Sequence, residues 1–398
     1  MRIRKFIKTI PTKLYLLLFF ALILSFFSND FGLVDIQKTA IILAVGIDKD
    51  EKGYCLTAQI SVPKGDRSTG GSASVEINSC GATVPECVTH IYSKTGWVPK
   101  FVFCDLIIVG EELAKENAIP VLDYFLRNDY MPDSCCVAVA KGTAKEVISS
   151  QSAIEDTSSQ AILKLFTGST EKSGTTIKNT LKNFSISSFG VSKSGYMPFI
   201  ETMPQSEIGG GNPSASGSPA NGDGESTEGA SQKVAFTAQK TAIFSEGIMV
   251  GLLPPEETFA YNLLHGKVFA GTITVTKEET ALSLSVLQNN GKIELSTKGK
   301  PSVSLSTQVK VQLFDRKELS SLEDISSDIP TEQDLEQATE LVRSYIRSLW
   351  DNCRATNCDL FLLKRSLQRS SPKLFDEWQS HLPQDLEVFI DVTVEGIH

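Results

Sequence analysis

The chain has 398 residues, 41% hydrophobic and 21% charged, a composition that suits globular domains with cores large enough to need neither metal nor disulfide. Its net charge of −9 argues against a nucleic-acid-binding face. The four histidines, His90, His265, His381 and His398, show no helical ligand pair, which argues against an all-histidine metal site.

Residues 1–13 carry Arg2, Arg4, Lys5, Lys8 and Lys13 and no acid, and an apolar run follows from Leu14 to Phe27. This is the layout of a secretory signal. As a helix the run reaches about 21 Å, short of the roughly 30 Å hydrocarbon core. The positive flank stays in the cytoplasm, so the body lies outside. No clear small-x-small cleavage site surrounds Ser25 to Ser28, and no cysteine precedes Cys55 to take a lipid. The expectation is a retained peptide anchor within residues 1–30, with Leu14, Leu16, Leu17, Leu18, Phe19, Phe20, Leu22, Ile23 and Leu24 as its membrane-facing residues. The flanks would snorkel and the bilayer thin to cover the shortfall.

Ala40 to Ile47 is fully apolar and reads as a buried strand. Asp48 to Gly53 is turn chemistry and Tyr54 to Ile60 returns with alternation, which predicts a hairpin. The turn imitates the start of a calcium loop, with Asp48, Asp50 and Gly53 in place. Lys52 and Gln59 stand where that loop needs acids, so the hairpin reading prevails. Thr83–Thr95 predicts a helix with Val84, Val88 and Ile91 on one face. Phe101–Val109 predicts a second buried strand, Gly110 to Glu112 opens a helix, Ile119–Leu126 continues a helical pattern, and Cys135–Ala140 predicts a third strand. Strands alternating with helices argue for a layered α/β domain.

Residues 149–203 are rich in serine and threonine with weak periodicity, and Met197 to Ile200 reads as a short extended piece. Residues 209–232 contain no apolar anchor larger than alanine and read as a flexible linker or disordered loop. They stand either at a domain junction or between Pro198–Glu201 and Val234–Phe236 within one sheet. Gly222 to Gly224 is no phosphate loop, because no strand precedes it and no helix follows.

From 234 onward the pattern is mostly β. Val234–Phe244 and Ile248–Leu253 flank a turn at Ser245 to Gly247. Pro254 to Glu257 starts a helix. Strands are predicted at Gly271–Thr276, Ala281–Gln288, Lys292–Thr297 and Ser302–Phe314, with Asn289 to Gly291 as a hairpin turn. Thr331 caps a predicted helix to Cys353, with Leu335, Ala338, Val342, Tyr345 and Leu349 in one stripe. A last strand carries Leu386, Val388, Ile390, Val392 and Val394 on one face. The expected fold class is α+β (mixed α/β) and multi-domain, with an antiparallel sheet and helices on one face in the C-terminal domain. The expected boundaries are 1–30 for the anchor, 33–203 for an N-terminal α/β domain, 204–233 for the linker or loop, and 234–398 for a C-terminal α+β domain.

No HExxH, GxSxG, Walker or CxxC pattern is present. Cys353 and Cys358 lack a second pair and a nearby histidine and read as structural. Cys135 and Cys136 point to opposite faces of a strand, so at least one is a core thiol, a strained vicinal disulfide being the alternative. Cys80 and Cys87 lie near enough in sequence to pair. Glu256 and Glu257 are read as first-turn acids facing the helix dipole. The residues alone nominate no catalytic, cofactor or metal site. They leave two classes open, a component of an envelope complex and an envelope enzyme with a dispersed site.

Several stretches together resemble the Ger(x)C family, the C subunits of GerA-type nutrient germinant receptors of endospore-forming bacteria. Residues 40–60 resemble the first hairpin, and residues 101–127 the strand–helix unit with its "GEELAK…LDYLLR" pattern. Residues 241–257 and 260–271 resemble the opening of the family's C-terminal domain, and residues 357–394 its closing segment. Two departures stand out. The family's lipid-bearing cysteine would fall near Asp30, where none exists, and Leu362 and Leu363 stand where the family favours glycine, which would alter a helix start. The resemblance implies a non-enzymatic receptor subunit without cofactor on the outer face of the inner spore membrane. It would serve assembly or signalling beside a large A subunit and a multispanning B subunit. An extracytoplasmic hydrolase or solute-binding protein is the alternative.

Overall fold

The computed structural model describes residues 14–24, 39–62, 74–204, 233–277, 280–297, 299–318 and 330–397. Helix α1 (14–24) belongs to one unit, Met1–Thr39, and Ala40–His398 forms another. The basic flank 1–13, Asp30 and residues 205–232, Gly222 to Gly224 among them, lie outside the described residues.

β1 (Thr39–Asp50) and β2 (Gly53–Ser61) form the expected hairpin, and β3 (Ser74–Gly81) pairs beyond β2. α2 (Val84–Thr95) begins where the Thr83 hydroxyl accepts the Glu86 N–H, and ends at Gly96. There follow β4 (Val98–Lys100), β5 (Leu106–Gly110), α3 (Glu111–Glu116), α4 (Ile119–Leu126), β6 (Cys136–Ala140), α5 (Ala144–Ser149), α6 (Ser158–Lys172), α7 (Leu181–Ser188) and β7 (Ser194–Pro204). β8 (Val234–Ser245) and β9 (Ile248–Leu253) complete a sheet ordered β3-β2-β1-β5-β6-β7-β8-β9, with β4 on β1. β1, β5, β6 and β7 run parallel to their neighbours in that order. β7 and β8 are antiparallel from Ser194↔Ser245 to Pro204↔Val234, so the chain on either side of residues 205–232 is one strand pair.

The unbroken apolar runs have a physical cause, because the central strands are buried on both faces. Ile107, Val109, Val137 and Val139 pack under α2, α3, α4 and α7. Leu106, Ile108, Cys136 and Ala138 pack under α5 and α6. Cys135 and Cys136 part to opposite faces, both as buried free thiols. The expected strand from Phe101 is shorter than predicted. Residues 101–105 form a loop in which Phe101 meets the edge of Phe125 at 5.7 Å, and pairing starts at Leu106.

α8 (Pro255–Leu264) leads to a second sheet of β10 (Thr272–Lys277), β11 (Thr280–Ser296), β12 (Ser302–Glu318) and β13 (Glu387–Gly396), in that order. β10, β11 and β12 are antiparallel, and β13 joins β12 in parallel. A parallel step needs a crossover, supplied by α9 (Glu332–Ala355), α10 (Leu363–Ser370) and α11 (Pro372–Trp378). α9 has the predicted Thr331 cap, completed by Asp334 as a capping box. It buries Ala338, Val342, Ile346, Leu349, Trp350 and Cys353. At about 2 kcal/mol for each large apolar side chain, that stripe contributes on the order of 10 kcal/mol against about 1 for the cap. Burial therefore fixes this helix, and the cap sets its first residue.

The Asn289 to Gly291 turn expected from sequence does not form. These residues lie inside β11, opposite Val309, Gln308 and Thr307 of β12. Asn289 Nδ2 donates to the Leu263 carbonyl at 2.5 Å, and its Oδ1 accepts the Val268 N–H at 3.1 Å. A Cβ on Gly291 would sit 2.2 Å from the Leu263 carbonyl oxygen. The turn-like composition serves the close approach of the α8 C-terminus to a strand.

Candidate functional site

Two of the acids singled out in the sequence, Asp48 and Glu257, have structural partners. Asp48 at the end of β1 accepts the backbone N–H groups of Ala144 at 2.7 Å and Lys145 at 2.9 Å, which open α5. Burial raises its pKa against the pull of those two bonds. Asp50, Cys55 and Cys80 are the group of metal-competent side chains that converges among the described residues. Cys55 and Cys80, however, are joined as a disulfide. Disulfide sulfur is no thiolate and makes a poor ligand. Cys80 therefore pairs with its cross-strand neighbour and not with Cys87, because β2 and β3 set Cys55 directly opposite it. The Cys87 Sγ lies 3.2 Å from the Tyr54 carbonyl. The free thiols are buried, and burial pushes Cys358 up to about 12 and Cys353 well above the ordinary range. Thiols held protonated in this way are poor nucleophiles.

A polar seam joins the two sheets around α8. Thr258 meets Thr241 of β8, hydroxyl to hydroxyl, at 3.0 Å. Asn262 donates to the carbonyls of Gly174 at 2.7 Å and Thr176 at 2.9 Å. Glu257, buried, accepts from Ser348 at 2.6 Å and Asn352 at 2.8 Å, both on α9. Glu256 beside it is exposed, so only one of the two first-turn acids acts through the dipole alone. Asp359, also buried, accepts the N–H groups of Leu363 at 2.7 Å and Lys364 at 2.9 Å, and its own N–H donates to Ser194 of β7. Burial raises its pKa.

A surface groove of about 810 Å³ lies at the end of α9, lined by Lys300, Arg354, Trp378, His381, Asp385 and Glu387 among others. His381 Nδ1 lies 2.7 Å from Asp385 Oδ2, and the Trp378 ring stands 5.6 Å from the imidazole. The Arg354 Nε–H donates to the Gln384 carbonyl at 2.9 Å. The groove offers both signs of charge and an indole face. Among the described residues no serine, threonine or cysteine lines it to serve as a nucleophile beside the His–Asp pair.

In the N-terminal unit, Leu14, Leu16, Leu17, Leu18, Phe19, Phe20, Leu22 and Leu24 are exposed on α1, and Ile23 is partly exposed. The helix reaches about 16 Å. No helix among the described residues is long and apolar enough to cross a membrane.

Two family profiles match the chain in order. The one described as spore germination protein N-terminal domain covers residues 33–202, and the one described as spore germination B3/GerAC-like, C-terminal, covers residues 239–397. The chain belongs to the Ger(x)C family of spore germination proteins. The crystal structure of the GerBC protein superposes with a TM-score of 0.49 at 15% identity, over 89% of this chain and 97% of that one. The provisionally named spore germination protein YfkR of Bacillus subtilis (strain 168) is 22% identical over 139 residues, 33% of this chain and 36% of its own length. The match thus spans about a third of that relative.

Against the Ger(x)C pattern, the leucine substitution has a visible result. Leu362, where the family favours glycine, adopts a left-handed conformation with φ 54° and ψ 39° just before α10. Glycine enters that region freely, whereas a leucine Cβ crowds the following carbonyl. Asp359 takes over the helix start through its two backbone bonds. Sequence reading missed Asp359, Asn289 and the Cys55 partner, because each acts through a neighbour that only the fold brings close.

Proposed function

We propose that this chain is a non-enzymatic C subunit of a nutrient germinant receptor that serves assembly or signalling of the complex during spore germination. The observation that carries the reading is the ordered match of both family domains, residues 33–202 and 239–397. The structural use of Asp48, Glu257, Asp359 and the buried thiols supports a body built for stability and contact. In this reading the partners are the receptor's A and B subunits, and the chain works at the outer face of the inner spore membrane. Deletion of the gene is expected to abolish or delay germination in one class of nutrient. Unchanged germination across nutrients contradicts the reading.

We further propose that α1 supplies a peptide anchor in place of lipid, since Asp30 stands where the family carries its modified cysteine. Leu14, Leu16 to Phe20 and Leu22 to Leu24 provide its apolar surface, and the basic residues before it suit anionic headgroups. Mass spectrometry of the protein from spores is expected to recover the N-terminal segment. A mature chain starting after residue 28 contradicts the anchor.

A further inference from the structure

Lys178 and Lys267 line a cleft of about 480 Å³ together with Phe166, Asn183 and Phe269, where α6, the start of α7 and the turn after α8 meet. No carboxylate of the described side chains lines it. The chain is acidic overall, and lysines elsewhere on its surface reach acids, as Lys141 and Lys240 both do at Glu201. Neither Lys178 nor Lys267 has an ion-pair partner among the described residues. Lys267 is half-buried, and burial lowers its pKa, with no opposing charge among the described residues. Its ammonium stands over the Tyr261 ring, 5.9 Å from the centroid. A partly desolvated cation without a counter-charge is costly, and an anion in the cleft would remove that cost.

The position of this lysine is fixed by its backbone. Gly266 has φ +65°, its N–H donates to the Leu263 carbonyl at 3.0 Å, and the Lys267 N–H donates to the Asn262 carbonyl at 2.9 Å. These are the two bonds of a Schellman cap, and the left-handed residue is the glycine such a cap prefers. Asn262 is itself bonded to Gly174 and Thr176, and the next residue, Val268, to Asn289 of β11. The cation is therefore preorganised. Phe166 is buried in the wall, whereas Phe269 is 53% exposed and has apolar surface left to cover.

We propose that this cleft binds a small organic anion, with its charged head on Lys267 and Lys178 and its apolar body against Phe166 and Phe269. Such a ligand touches α6 and α7 of the first sheet's layers and the turn that Asn289 ties to the second sheet. Occupancy would fasten the two sheets across their seam. The proposal goes beyond the receptor reading and holds or fails without it.

Calorimetric titration of the full chain with benzoate and hexanoate tests this. Saturable binding is expected, weakened at least tenfold in Lys267→Met, which keeps the aliphatic stem, and weakened in Phe269→Ser. Benzyl alcohol, without the charge, and acetate, without the apolar body, are each expected to bind at least tenfold more weakly. Lys178→Met, at an exposed position, gives a second reading should Lys267→Met fail to fold. Absence of saturable binding by both probes overturns the proposal. Equal binding of acetate, or affinity unchanged in the lysine variants, overturns it as well.

Discussion

Glu257 of α8 accepts a hydrogen bond from Asn352 of α9 at 2.8 Å, inside the seam between the two sheets. The same carboxylate accepts from Ser348 at 2.6 Å. Glu257→Ala would leave two donors without a partner in a buried place, and a loss of about 3 kcal/mol is expected. Glu257→Gln keeps one acceptor and should lose about 1 kcal/mol, since it strands only one of the two donors. Urea unfolding of the two variants checks the order. Equal stability of Glu257→Ala and the parent chain would show that the seam does not need this acid.

Leu362 concerns backbone strain. Its left-handed conformation favours glycine over an L-residue by about 1 kcal/mol or more. Replacement also removes a half-buried side chain, so alanine is the proper reference. Leu362→Gly is expected to be more stable than Leu362→Ala by about 1 kcal/mol. The reverse order in thermal melts would mean that the residue leaves this conformation in solution.

Asp359 sets a pH dependence with a definite sign. Burial raises its pKa above the ordinary 3.8, so the folded state holds this proton more tightly than the unfolded state. Its contribution to stability is full below 3.8 and is lost as pH rises through the raised folded value. Glu111 and Glu201, lowered by their lysines, work in the opposite direction, so only a difference isolates Asp359. Stability of Asp359→Asn relative to the parent should improve as pH rises above 3.8. A difference that is flat with pH contradicts the assignment.

The Cys55–Cys80 bond predicts a labelling pattern. Of eight cysteines, six are free thiols. Alkylation of the denatured chain should add six labels without reductant and eight with it. The bond spans 25 residues, and its loss should cost about 3 kcal/mol by loop entropy. Reductant should therefore lower the melting temperature of the parent and leave a Cys55→Ser/Cys80→Ser double variant unmoved.

Much of this fold was legible because burial writes a period into the chain. The both-face burial of β5 and β6 shows as unbroken apolar runs, and α9 shows as a stripe behind a capping box. α6 and α7 were not legible, since they are rich in serine and threonine and rest on few large anchors, such as Ile162, Phe166 and Phe184. Asn289 to Gly291 misled because the same residues serve a turn or the approach of a helix end to a strand. Lys267 had no signal at all in the sequence, because its burial and its neighbours are properties of the fold around it. The cysteine pairing depended on the register between β2 and β3, which the turn residues alone do not set.

The central claim is membership of a receptor complex, and affinity purification of the tagged full chain from detergent-solubilised inner spore membranes tests it most directly. Recovery of a large A-type subunit and a multispanning B-type subunit with the chain is expected. Recovery of the intact chain alone from germination-competent spores would contradict it.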